Sequence, residues 1–77
     1  MRTRLLDELA PGEIGVVDHV DGEPTVARRL MELGLVPGTT VEVVRRAPLG
    51  DPVELRLRQV HLSIRRSEAA HIHVTID

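Results

Sequence analysis

The sequence predicts a mainly β fold, a small five-stranded barrel with one α-helix inserted after the first strand. Three observations carry this. Short runs of alternating apolar and polar residues are separated by Gly- and Pro-bearing turns, which is the pattern of half-buried strands. Only one segment, residues 24–33, holds apolar residues at helical spacing. The 77 residues include no Phe, Tyr, Trp or Cys, so the core is built from Val, Leu, Ile, Ala and Met with no disulfide frame. A chain this short makes one domain, residues 1–77, and buries only ~60% of its unfolded surface.

In chain order, Leu5, Leu6 and Leu9 close a short turn over the core before Pro11-Gly12. Residues 14–20 form the first strand. Its alternation slips between Val16 and Val17, and a nearby glycine with a slip of phase signals a β-bulge. Asp21-Gly22 turns the chain into the helix. Pro24 suits the first helical position, where its missing N–H has no intrahelical partner to lose. Val26, Leu30 and Leu33 then share one face, while Arg28, Arg29 and Glu32 point elsewhere. Gly34 stops the helix at the C′ position, where a left-handed backbone disfavours a Cβ. Leu33 is then the C-cap, Leu30 sits at C3 and Leu35 at C″, the pair that meets in a Schellman ending. Pro37-Gly38 sets a tight turn.

Residues 39–46 are the second strand, and the two prolines of residues 47–52 mark a loop. Residues 53–58 are the third strand, Leu62 and Ile64 the fourth, and Ile72, Val74 and Ile76 the last, after a helical turn at residues 67–70. Parity sets the register. Val43 opposes Leu55 and Val41 opposes Leu57, so Glu42 faces Arg56. On the next hairpin, turning at Gln59-Val60, Leu57 opposes Leu62, Leu55 opposes Ile64 and Glu54 faces Arg65. Each exposed charge pair is worth only ~0.2–1 kcal/mol, so this ladder serves register more than stability. The expected core is Leu30, Leu33, Val41, Val43, Leu55, Leu57, Leu62, Ile64, Ile72 and Val74.

Charge and motifs narrow the function classes. The net charge of −2 gives no global attraction to nucleic acid or anionic lipid. Arg45, Arg46, Arg56, Arg58, Arg65 and Arg66 lack aromatic neighbours for base stacking and are interleaved with glutamates, which reads as a solvated face. Residues 1–6 begin like a signal peptide, but Asp7-Glu8 cuts the apolar run, and no stretch approaches membrane-spanning length. The expectation is a cytosolic protein. No phosphate loop, thiol or nucleophile–base pattern points to an enzyme, and no cofactor is implied. His71 and His73, two apart, point the same way from the last strand, with His19 on a neighbouring strand. With no cysteine and no evident supporting carboxylate, they read as solvated histidines rather than a metal site.

Taken together, Leu9-Ala-Pro-Gly-Glu13, Arg29-Leu-Met-Glu-Leu-Gly-Leu-Val-Pro-Gly38, Val41-Glu-Val43, Ala47-Pro-Leu-Gly-Asp-Pro52, Leu62-Ser-Ile-Arg-Arg66 and Glu68-Ala69 cover nearly the whole chain in order. In these the sequence resembles the FeoA family, the small cytosolic partner of the bacterial ferrous iron transporter FeoB. The resemblance implies an SH3-like barrel and an accessory, regulatory role in iron homeostasis, exercised by contact with FeoB's cytosolic GTP-hydrolysing region. The family usually has glycine in the hairpin where this chain has Arg58-Gln59-Val60-His61. A second resemblance is to the SH3-like C-terminal domain of DtxR-type metal-dependent repressors. The chain starts at Met1 without a helix-turn-helix, which favours the transporter reading. A regulator without catalytic groups acts through a surface, and the distinctive one is the helix end: Arg28, Arg29, Met31, Glu32, Leu35, Val36 and Pro37. Met and Leu beside Arg is the composition of an interface centre. An exposed strand edge also leaves room for weak self-association.

Overall fold

The computed structural model describes residues 1–76. Its strands are β1 (Arg2–Leu5), β2 (Ile14–Val20), β3 (Thr40–Arg46), β4 (Val53–Leu57), β5 (Val60–Ile64) and β6 (Ile72–Ile76). Helix α1 (Pro24–Glu32) joins β2 to β3, and a single turn, α2 (Arg66–Ala69), joins β5 to β6. All pairings are antiparallel, in the order β1-β6-β2-β3-β4-β5. The five-stranded barrel is thereby corrected. There are six strands among the described residues, and the ladder has two ends, β1 and β5. The extra strand is Arg-Thr-Arg-Leu, which pairs with β6 from Arg2 opposite Ile76 to Leu5 opposite His73. Such a polar segment has no apolar alternation to read, and charge on an edge strand discourages further pairing.

Behind β1 a 3-10 turn (Leu6–Glu8) drives Leu6 and Leu9 into the core. Arg46 fixes this turn. Its guanidinium donates to the Asp7 carboxylate at 3.4 Å, to the Leu9 carbonyl at 2.9 Å and to the Asp7 carbonyl. Arg66 approaches the same carboxylate at 3.2 Å. Two arginines expected on a solvated face thus tie the N-terminal segment to β3 and α2.

Helix α1 ends as the sequence says. Gly34 has φ +111°, its N–H donates to the Met31 carbonyl at 3.0 Å, and the Leu35 N–H donates to the Leu30 carbonyl at 3.2 Å. Those two bonds define the Schellman motif. The buried face, however, is Ala27 and Leu30 with Val26 half-buried, and Leu33 is 41% exposed. Leu33 lies roughly 120° round the axis from Ala27, at ~100° per residue, so it points past the sheet. Leu35, brought back by the reversal, takes the core place instead and is fully buried. Leu62 is half-buried at the edge of the core, and the other eight expected core residues are buried.

Two register details also differ. The bulge in β2 falls at Asp18. Val17 opposes Val74, and the next paired residue is His19, opposite His73. Gly15 serves close approach instead, since a Cβ there would lie 3.1 Å from Val74. On the second hairpin the turn residues are Arg58 and Gln59, at φ +49° and +64°. Leu57 therefore opposes Val60, Leu55 opposes Leu62 and Val53 opposes Ile64. The shift is two residues, so the inward set is unchanged. Glu54 faces Ser63 rather than Arg65, and it pairs with Arg45 at 3.1 Å. Glu42 meets Arg56 at 2.7 Å as expected.

Candidate functional site

Two surfaces hold the residues that composition singled out. The first is the end of α1 and the turn after it. Arg28, Met31, Glu32 and Pro37 are exposed, Met31 at 39%, and Val36 is half-buried. Leu35 is removed from this surface, because the Schellman reversal spends it entirely on the core. Leu33 is exposed instead; at ~100° per residue it lies roughly 160° round the axis from Met31, so the two apolar side chains flank an outer face that carries Arg28 and Glu32. Arg29 is partly committed elsewhere, since its guanidinium pairs with the Glu68 carboxylate of α2. Glu68 is nearly buried and also accepts from the Arg65 N–H at 2.8 Å, so the pair links the two helices. Sequence reasoning missed Leu33 because a leucine in phase with Leu30 reads as core.

The second surface lies at the start of α1, where β2 and β6 finish. The bulge at Asp18 rotates His19 onto the outer face, directly opposite His73, and the two imidazoles stack with centroids 4.1 Å apart and planes 11° from parallel. Asp21 follows, its N–H donating to the His71 carbonyl at 2.9 Å. Its carboxylate then receives two imidazoles, His71 Nδ1 at 2.9 Å and His73 Nε2 at 2.6 Å. Those two hydrogen bonds hold the Asp21 carboxyl below its ordinary range, His73 contributing more than His71. Asp18 takes His19 Nδ1 at 2.6 Å. His71 sits in the turn before β6 rather than on it, packed against Gly22, where a Cβ would fall 2.9 Å from its ring. The supporting carboxylates that the sequence did not reveal are therefore Asp18 and Asp21. Each is next to or near a histidine in sequence, but only the bulge and the β2–β6 pairing bring them onto imidazoles.

The arginines do not gather on one free face. Arg45, Arg46, Arg56 and Arg66 each meet a carboxylate, and Arg58 donates to Thr39 Oγ1 at 3.3 Å. A shallow groove lined in part by Met1, Ile14, Val16 and Ile76 adds an apolar stripe. Among the described residues no helix is long and apolar enough to cross a membrane.

Similarity to known proteins joins these features to a family. The FeoA domain model matches residues 4–76. A fusion of Fe(2+) transport protein A with the Fe(2+) transporter FeoB, from Porphyromonas gingivalis, is 41% identical over 71 residues; the match takes in 92% of this chain and 8% of that protein. The chain thus spans a small part of that curated relative's length. The solution structure of a FeoA protein from Chlorobium tepidum superposes with a TM-score of 0.88 at 48% identity, over 95% of this chain and 70% of that one. The crystal structure of Stenotrophomonas maltophilia FeoA, described as a procaryotic SH3 domain protein complexed with zinc, gives 0.80 at 33% identity, over 97% and 91%. A manganese-dependent transcriptional repressor shares the fold at 18% identity with a TM-score of 0.84, over 94% of this chain and 40% of the repressor. An antiparallel SH3-like sheet, one helix with a Schellman stop and a domain match from residue 4 to residue 76 agree: the chain belongs to the FeoA family of ferrous iron transport.

Proposed function

We propose that this protein is a cytosolic, non-catalytic accessory of ferrous iron uptake that regulates a FeoB-type transporter by binding its GTP-hydrolysing region through the end of α1. The observation that carries the reading is the relative in which a FeoA segment and FeoB are one polypeptide, since a covalent fusion gives two modules a permanently high effective concentration. The surface assigned to the contact is the outer face of the helix end, Arg28 and Glu32 flanked by Met31 and Leu33, with Val36 and Pro37 of the turn that follows. Methionine adapts its shape to a partner, and an arginine can fork onto a carboxylate. Leu35 and Arg29 act from beneath, one by fixing the turn and the other by bracing α1 against α2. The repressor-module reading rests on fold likeness alone, and it predicts a shift of operator DNA that the transporter reading does not.

Calorimetry against the soluble GTP-hydrolysing region of the cognate FeoB tests the site. Met31→Asp and Leu33→Asp change exposed residues and leave the fold intact, yet each is expected to weaken binding about tenfold or more, as truncated hot spots do. Val60→Asp, an exposed apolar position on β5, serves as control and should bind as wild type. Wild-type affinity in both helix-end variants would move the interface to another face.

A further inference from the structure

We propose that His19, Asp21 and His73 bind a divalent first-row transition-metal ion. Their ligand atoms all lie within 4.8 Å of one another, at the end of β2 and on the facing residue of β6. Tetrahedral metal–ligand bonds of ~2.0–2.2 Å set donors ~3.4 Å apart. Binding must therefore draw the wider-spaced donors in and replace the 2.6 Å hydrogen bond between His73 Nε2 and the Asp21 carboxylate by a shared ion. All three side chains are at least partly exposed, and small rotations of the rings achieve it. The stacked imidazoles cannot aim both lone pairs at one point while parallel, so the ion must splay them. Two imidazoles and one carboxylate suit zinc, cobalt, nickel or ferrous iron, and discriminate against magnesium and calcium, which prefer all-oxygen shells. Two neighbours already orient the donors. Asp18 accepts from His19 Nδ1, which leaves Nε2 free to ligate, and His71 engages the second oxygen of Asp21. Such outer partners fix ring orientation in established metal sites.

Three protein donors leave positions for water, so the site exchanges its ion rather than serving as a structural staple. It is also separate from the proposed FeoB contact. The nine residues of α1, at 1.5 Å each, put ~13 Å between the two ends of the helix. Failure of one proposal therefore leaves the other standing.

The test is a titration of the full chain with zinc, cobalt and magnesium at neutral pH. The expected result is one zinc or cobalt ion per chain, visible cobalt absorption bands, and no heat with magnesium. On the wild-type protein, zinc at stoichiometric amounts should shift the imidazole NMR signals of His19 and His73 while leaving His61, on β5, unmoved. His19→Gln and His73→Gln should each weaken zinc binding at least ~100-fold, and Asp18→Asn about tenfold. His61→Gln should change nothing. Binding that survives His19→Gln and His73→Gln, equal shifts at all four histidines, or no stoichiometric binding at all would each overturn the assignment.

Discussion

Among the turns of this protein with left-handed backbone, two meet the need in opposite ways. After α1 the residue is Gly34, at φ +111°; between β4 and β5 the residues are Arg58 and Gln59, at φ +49° and +64°. Leu57 touches both. A Cβ on Gly34 would stand 3.1 Å from Leu57 Cδ1, and Leu57 is also the last residue of β4 before the hairpin turns. At the helix stop the chain is pressed against the core, with fully buried Leu35 next in sequence. Arg58, Gln59 and Val60 are all exposed. A left-handed position packed against neighbours excludes a side chain on two counts, conformation and space. One that faces water carries only the conformational strain, which the sheet closing on either side can hold in place.

The largest effects should separate the two layers of the α1 corner. Leu35→Ala is expected to lower stability by about 2–5 kcal/mol, because it empties a core site that the reversal built. Leu33→Ala, two residues earlier on the exposed rim, should stay within about 0.5 kcal/mol. Urea unfolding of both variants measures the difference. Equal costs would mean the helix presents its Leu33 face to the core after all.

Next comes the stop itself. Gly34→Val combines a β-branched side chain at positive φ with the contact to Leu57, and should cost about 2–3 kcal/mol. Gly34→Asn retains the crowding but tolerates the backbone better, so its unfolding midpoint should fall clearly less. If the two variants unfold together, space rather than conformation governs the position.

The same contrast explains what the sequence showed and what it hid. The α1 stop was legible to the atom pair because Pro24, Gly34, Leu35 and Pro37-Gly38 each specify local geometry in agreement with the fold. Inward faces of β4 and β5 were legible because parity survives a register error of two. The hairpin turn was not, since neither Arg58 nor Gln59 prefers the conformation it adopts. Strand β1 escaped notice because its ladder comes from β6 and its side chains carry no pattern. At the histidine corner the residues were visible but their partners were not. A bulge one residue long decides whether His19 or Asp18 faces His73, and no local signal at Asp18 marks it.

The smallest effect has the opposite sign, and it tests whether the hairpin turn is under strain. Two central residues both at positive φ are those of a type I′ turn, which favours Asn-Gly over any pair with ordinary side chains. Arg58 has a compensating role, donating to the buried Thr39 hydroxyl oxygen at 3.3 Å. Gln59 makes no side-chain hydrogen bond among the described residues and is exposed, so its side chain can be removed without loss of contact. Gln59→Gly is therefore expected to stabilise the protein by about 0.5–1 kcal/mol, the relieved strain exceeding the added entropy of a glycine in the unfolded chain. Gln59→Ala, which keeps a Cβ, is the control and should leave stability nearly unchanged. A fall in the Gln59→Gly unfolding midpoint, with Gln59→Ala unaffected, would show that the turn costs nothing to hold, and that an exposed left-handed pair in this sheet needs no glycine.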